Sequence, residues 1–158
     1  MKARKYSYHR NLPHILKGDQ PHFVTFVTSH RWELPPLARD AVLKHCMHDD
    51  GVKVKVHAVV VMPDHVHMIL TPLRSNAGEY FTFEEILGGI KGTSAHSINR
   101  LLGRRGRVWQ DESFDHVLRS EEGLAEKTEY ICQNPVRKGL VAMTEQYRWL
   151  WREEGTAI

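Results

Sequence analysis

Val52-Lys-Val-Lys-Val-His-Ala-Val-Val-Val-Met62 and His65-Val-His-Met-Ile-Leu-Thr71 are two β-branched, apolar stretches with only Pro63 and Asp64 between them. Val, Ile and Thr lose little rotamer freedom in an extended chain, and a proline followed by an aspartate favours a tight reversal. The segment therefore predicts two antiparallel strands joined by the turn Met62-Pro63-Asp64, with Val52, Val54, Val56 and Ala58 on one side. Outward from this hairpin, His22-Phe-Val-Thr-Phe-Val-Thr28 alternates apolar and small polar side chains, the pattern of a half-buried strand. Leu37, Ala41, Val42, His45 and Cys46 recur at helical spacing after Pro35-Pro36, and Asp50-Gly51 supplies an exit turn. Phe81 to Leu102 is the longest helical pattern, weakened by Gly88, Gly89 and Gly92. Val108 to Leu118 predicts an edge strand. Ser120 followed by Glu121 and Glu122 predicts the start of a last helix, which Pro135 is expected to stop at Asn134. The order β, α, β, β, α, β, α is that of an α+β sandwich, an antiparallel sheet with helices on one face.

At 158 residues and 41% hydrophobic composition the chain supports one core, and residues 1–158 are expected to form a single domain. No apolar run approaches the roughly 20 residues of a membrane span, and the basic start lacks the apolar stretch of a signal peptide. A cytoplasmic protein is expected. Cys46 and Cys132 form no CxxC pair and are expected to be packed thiols. A net charge of +3 fits a nucleic-acid partner and many basic enzymes alike. Its distribution says more, with Lys2, Arg4, Lys5 and Arg10 at the start and Lys91, Arg100, Arg104, Arg105, Arg107 and Arg119 in the middle.

Side chains two apart on a strand share a face, so His65 and His67 project together from positions about 7 Å apart, within reach of one ion. Two neutral imidazoles are a common pair for a divalent metal. In Tyr130-Ile-Cys-Gln-Asn134-Pro135 the tyrosine and asparagine are four apart and share a helix face. The Asn134 carbonyl oxygen suits a hard divalent ion and would leave positions open for substrate, with Gln133 as the rival ligand. The loop Arg104, Arg105, Arg107 beside Trp109 combines phosphate attraction with a ring on which an unpaired base could stack, unless that tryptophan is a core residue. Lys91 and Arg119 are further candidates for DNA contact. Asp115 and His116 are open to a role in the site or to a structural pairing. There is no Walker loop.

The run Met62-Pro-Asp-His-Val-His67 resembles the His-hydrophobic-His signature of HUH single-strand endonucleases, and Tyr130-Ile-Cys-Gln-Asn-Pro-Val-Arg-Lys-Gly-Leu-Val141 resembles the tyrosine motif of the REP-associated tyrosine transposases. Val108-Trp-Gln110 and Phe114-Asp-His-Val-Leu-Arg119 resemble that family's central motif. Together they cover roughly residues 20–150, in order. The resemblance implies a ferredoxin-like HUH fold and a DNA transposase that cuts and rejoins single-stranded or hairpin DNA. Residue by residue, it implies metal binding by His65 and His67, an amide ligand at Asn134, and Tyr130 as nucleophile forming a 5′-phosphotyrosine. In the wider single-tyrosine group that amide is usually glutamine. The resemblance implies Mg²⁺ as the metal, whereas imidazoles favour Mn²⁺, which should serve at least as well in vitro. It also leaves open whether the Tyr130 helix acts within its own chain or in a dimer, with the monomer favoured. Two rivals use the same residues differently: a domesticated hairpin-binding protein or repressor that does not cut, and a metal-dependent hydrolase working through Asp64.

Overall fold

The hairpin read from the sequence is the centre of the computed structural model, which describes residues 20–155. The expected basic start of the chain lies outside the described residues. Strands β2 (Val54–Val61) and β3 (His65–Pro72) pair antiparallel across a turn closed by Met62 N–H donating to His65 O at 2.8 Å. Strand β1 (His22–Thr28) lies on the other side of β3, with Thr25 opposite His67 and Val27 opposite His65. Strand β4 (Trp109–Val117) is the edge strand beyond β1, as expected, and β5 (Leu150–Arg152) is the edge beyond β2. The order is β4-β1-β3-β2-β5, and every pairing is antiparallel. Three residues carry no readable period, so β5 has no signature in the sequence.

Helices α1 (Pro36–His48) and α2 (Phe83–Leu102) cover one face of this sheet, as the sandwich reading expects. Val24, Phe26, Val59, Val61, Val66, Met68 and Leu70 point into that layer and meet Val42, Cys46, Ile86, Ile90 and Ile98. Six buried residues of α2, among them Phe83, Ile86, Leu87, Ile90 and Ile98, hold it continuous through its three glycines. The expectation of helices on one face only is corrected for the third helix: α3 (Glu121–Arg137) packs on the opposite face, where Ile131 joins Ala58, Val60, Ile69, Leu118 and Tyr147 in a second, smaller cluster. A sheet covered on both sides needs apolar residues at consecutive positions, which is what Val59-Val60-Val61 and Met68-Ile69-Leu70 supply.

Two local expectations are corrected. Pairing passes from Val56 opposite Leu70 directly to Ala58 opposite Ile69, so His57 is an extra residue in a β-bulge. Val54 and Val56 therefore face α1 and α2 while Ala58 faces α3, and Val52 is exposed ahead of the strand. Helix α3 also runs through Pro135 to Arg137 instead of stopping at Asn134. Proline forfeits one helical hydrogen bond, but the carbonyls of Asn134 and Pro135 still accept from Lys138 and Leu140, at 3.0 and 2.9 Å. Burial of Ile131, Cys132, Asn134 and Pro135 against the sheet offsets the loss. At the other end of α3 the Ser120 hydroxyl accepts from Gly123 N–H at 2.9 Å. Ser120→Ala is expected to destabilise the protein by about 1 kcal/mol, read as a lower urea midpoint at unchanged slope. Both cysteines are buried and free, as expected. Among the described residues no helix is long and apolar enough to cross a membrane.

Candidate active site

The turn and the register of β3 aim His65 and His67 at the face that α3 covers. Their ring centroids are 4.7 Å apart and the planes are inclined by 73°. Each ring is held through Nδ1: His65 by Asp64 Oδ1 at 2.7 Å, His67 by Thr25 Oγ1 at 2.7 Å. A carboxylate can only accept, so His65 donates from Nδ1, which leaves Nε2 as the nitrogen that could bind a metal. Asp64 is fixed in turn, its carbonyl accepting from Thr28 N–H at 2.9 Å and its Oδ2 accepting from Arg31 Nη1 at 3.3 Å. His30 and Arg31, both with φ of 55°, turn the chain through left-handed backbone to bring that guanidinium across. Burial pushes the Asp64 carboxyl up, but the His65 hydrogen bond and the charges of His65 and Arg31 together outweigh it and hold the pKa below the usual value. His67 is pushed down to about 3, first by burial and then by the charges of His65, Lys127, Arg137 and Lys138. It is thus neutral near pH 7, the form that can act as a ligand.

From the other side, α3 contributes Tyr130 and Asn134, one turn apart as the helical phase requires. The Tyr130 ring lies 5.6 Å from that of His67 and 5.9 Å from that of Phe23, and the residue is 39% exposed. Asn134 is 2% exposed, and its Nδ2 has no hydrogen-bond partner. Gln133 turns away and donates to Thr144 Oγ1 at 3.2 Å. A cleft of about 560 Å³ brings Thr25, Arg31, Asp64, His65, His67, Tyr130, Asn134 and Lys138 together. Among the described residues no group of three His, Cys, Asp or Glu could hold a metal. A third donor beside the two imidazoles must come from another residue type, and Asn134, whose side-chain carbonyl oxygen would be the ligating atom, lines the same cleft. That donor set fits a divalent ion with open positions for a phosphate. Asp64 supports His65 and is not a free base.

No family model matches the chain. It is 28% identical over 98 residues to a Haemophilus influenzae protein named as a REP-associated tyrosine transposase, a match over 57% of this chain and 54% of that protein. The chain thus spans about half the length of this curated relative. A solved REP-associated tyrosine transposase bound to a REP hairpin shares the fold at a TM-score of 0.67, with 20% identity over 95% of this chain and 82% of its own. The chain resembles the REP-associated tyrosine transposases. The fold alone would not separate this likeness from another, because a bacterial tRNA(His) guanylyltransferase (Thg1)-like protein in complex with GTP matches at a TM-score of 0.60. That match has 12% identity over 88% of this chain and 71% of that one. The sequence match and the motifs carrying His65, His67 and Tyr130 point to the transposases.

The nucleic-acid contacts expected from the sequence divide unevenly. Trp109 is 4% exposed, lies edge-on to Phe26 and donates from Nε1 to Ser94 Oγ at 2.9 Å. It starts β4 facing the α1 and α2 layer and is a core residue with no free stacking face. Lys91 is likewise corrected: its ammonium donates to Gln110 O at 2.6 Å, Asp111 O at 3.2 Å and Ser113 Oγ at 3.1 Å, bolting α2 to β4. Arg104 stacks on Trp32 at 4.1 Å and donates to Asn99 Oδ1, while Arg107 pairs with Asp111 at 2.9 Å. Arg105 is exposed. This arginine loop borders the cleft end of the sheet, since Ser29 N–H donates to Val108 O beside the bond from Thr28 N–H to Asp64 O. Arg119 is exposed at the opposite end, where Leu118 N–H donates to Pro21 O. Asp115 pairs with buried His22 at 2.8 Å, which makes it structural. Sequence reasoning missed Lys127, Arg137, Lys138, Arg31 and Thr25. The spacing of 127, 130, 134, 137 and 138 along one helix face is the signal that could have found the first three.

Proposed function

We propose that the chain is a metal-dependent tyrosine transposase that cleaves and rejoins single-stranded, hairpin-forming DNA through a 5′-phosphotyrosine. One observation carries this reading: Tyr130 and Asn134 of α3 share a cleft with His65 and His67 of β3, more than sixty residues earlier in the chain. Two imidazoles and the buried Asn134 side chain beside a half-exposed phenol are more than a binding surface requires. The transposase names of the relatives support the same reading, as does the hairpin bound by one of them.

Held by His65, His67 and Asn134, a Mg²⁺ or Mn²⁺ ion supplies charge neutralisation and polarisation at the scissile phosphate. Tyr130 Oη attacks phosphorus and gives its proton to water; the bond from phosphorus to the 3′-oxygen breaks, and that oxygen leaves as a hydroxyl after taking up a proton. The 5′-phosphate remains esterified to Tyr130. Because one phosphodiester replaces another, a second 3′-hydroxyl can reverse the step and join strands without ATP. Lys138 and Arg31 line the cleft with positive charge, and Arg104, Arg105 and Arg107 extend it for the flanking strand. Arg119 is a contact for DNA that reaches the far end of the sheet. The chain acts as a monomer, its own α3 completing its own site.

The test is incubation of the protein with Mn²⁺ or Mg²⁺ and end-labelled hairpin DNA from its own genomic surroundings. An SDS-resistant protein–DNA adduct that chelation prevents is expected. Tight binding with no adduct under either metal would replace this reading by a hairpin-binding protein that does not cut. Asp64→Asn, which weakens the grip on His65 Nδ1 and leaves both ligands in place, is expected to lower Mn²⁺ affinity by about 10–100-fold in calorimetric titration.

A further inference from the structure

Tyr130 is not fixed by burial, yet its ring is contacted from several sides. Arg137, seven residues on and two turns along the same face, sets its guanidinium carbon 4.3 Å from the centre of the Tyr130 ring. The same guanidinium donates from Nη2 to the Tyr130 carbonyl at 3.0 Å. Lys127 Nζ lies 5.3 Å from the ring centre and 5.0 Å from that of Phe23. His67 and Phe23 meet the ring from the sheet side. Helix α3 reaches Arg137 only because it continues through Pro135.

We propose that Arg137 is a positioning residue for Tyr130, pinning the phenol ring toward His67 by stacking on it while anchored to the tyrosine's own carbonyl. This rests on the tyrosine-transferase reading of the cleft. A phenol on a helix surface otherwise exchanges among staggered rotamers, and the one observed faces His67. Arginine suits the task because its flat guanidinium can stack and donate at once, which the lysine ammonium does not do.

Arg137→Ala and Arg137→Lys, with Lys127→Ala alongside, separate positioning from simple phosphate attraction. Under positioning, both Arg137 variants lower the single-turnover rate of adduct formation at saturating hairpin DNA by about 10–100-fold, because small misplacements of a nucleophile weigh that heavily. Hairpin affinity and melting temperature should change little. An unchanged rate at saturation with weakened affinity, or full rescue by lysine, overturns the proposal. A second readout does not depend on catalysis. With the five tyrosines replaced by 3-fluorotyrosine, the ¹⁹F resonance that Tyr130→Phe removes should shift and sharpen in Arg137→Ala while the others stay. A Tyr130 resonance that does not respond to Arg137→Ala also overturns it. Absence of any wild-type adduct would instead count against the transferase reading, with the ¹⁹F result still deciding the role of Arg137.

Discussion

Exchange of Tyr130 for phenylalanine is expected to abolish the SDS-resistant adduct, a loss of at least about a thousandfold in the rate of DNA cleavage. The change removes one oxygen and nothing else. At 39% exposure Tyr130 contributes its ring to contacts with His67 and Phe23, and the Phe variant retains that ring. Melting temperature should therefore stay close to that of the parent. Mn²⁺ binding should also persist, because His65, His67 and Asn134 are untouched. Hairpin affinity is expected to survive for the same reason, with Arg31, Lys138 and the loop of Arg104, Arg105 and Arg107 still in place. The contrast between retained binding and lost cleavage is what distinguishes a nucleophile from a structural tyrosine. An adduct formed by the Phe variant at near the parental rate would mean that another group attacks the phosphate, and the assignment of Tyr130 would fall.

The parts of this site that were legible before the structure are those governed by a short period. Strand alternation put His65 and His67 on one face, and helical phase put Tyr130 and Asn134 on another; both hold. Phase also separates Asn134 from Gln133, because one residue is about 100° of rotation around a helix. What stayed hidden depends on packing between distant segments. Nothing local to Trp109 says that its ring faces Phe26 and Ser94 and not solvent. Nothing local to Lys91 reveals the three acceptors that β4 offers it. The bulge at His57 reverses the phase of β2 midway, which an unbroken run of valines cannot signal. Pro135 misled for a different reason: a preference of a few kcal/mol against proline in a helix is overridden when the surrounding turn is buried. That override extends α3 to Arg137, so the cation stacked on Tyr130 was out of reach of any reading that ended the helix at Asn134.

His67→Ala is expected to remove both metal binding and cleavage. His67 sits where the two halves of the site touch, its ring stacked on Phe23 at 5.2 Å and 25°, inclined to His65 at 4.7 Å and to Tyr130 at 5.6 Å. It is 8% exposed and neutral near pH 7, with a pKa of about 3. Loss of a direct ligand should weaken Mn²⁺ binding by more than the about 10–100-fold expected of Asp64→Asn, which only loosens the support of one. The substitution also leaves the Thr25 hydroxyl without its partner and opens a void between β3 and α3, so a stability cost of about 1–3 kcal/mol is expected alongside. The two effects separate cleanly when Mn²⁺ titration is performed well below the melting transition of the variant. His65→Ala provides the comparison: its side chain is held by the turn residue Asp64 and is less buried than that of His67. It should therefore lose metal with less damage to the fold. If His67→Ala bound Mn²⁺ as tightly as the parent while remaining folded, the ion would have to sit elsewhere. The cluster of β3 and α3 would then be a DNA-binding surface whose tyrosine is not activated by a metal held there.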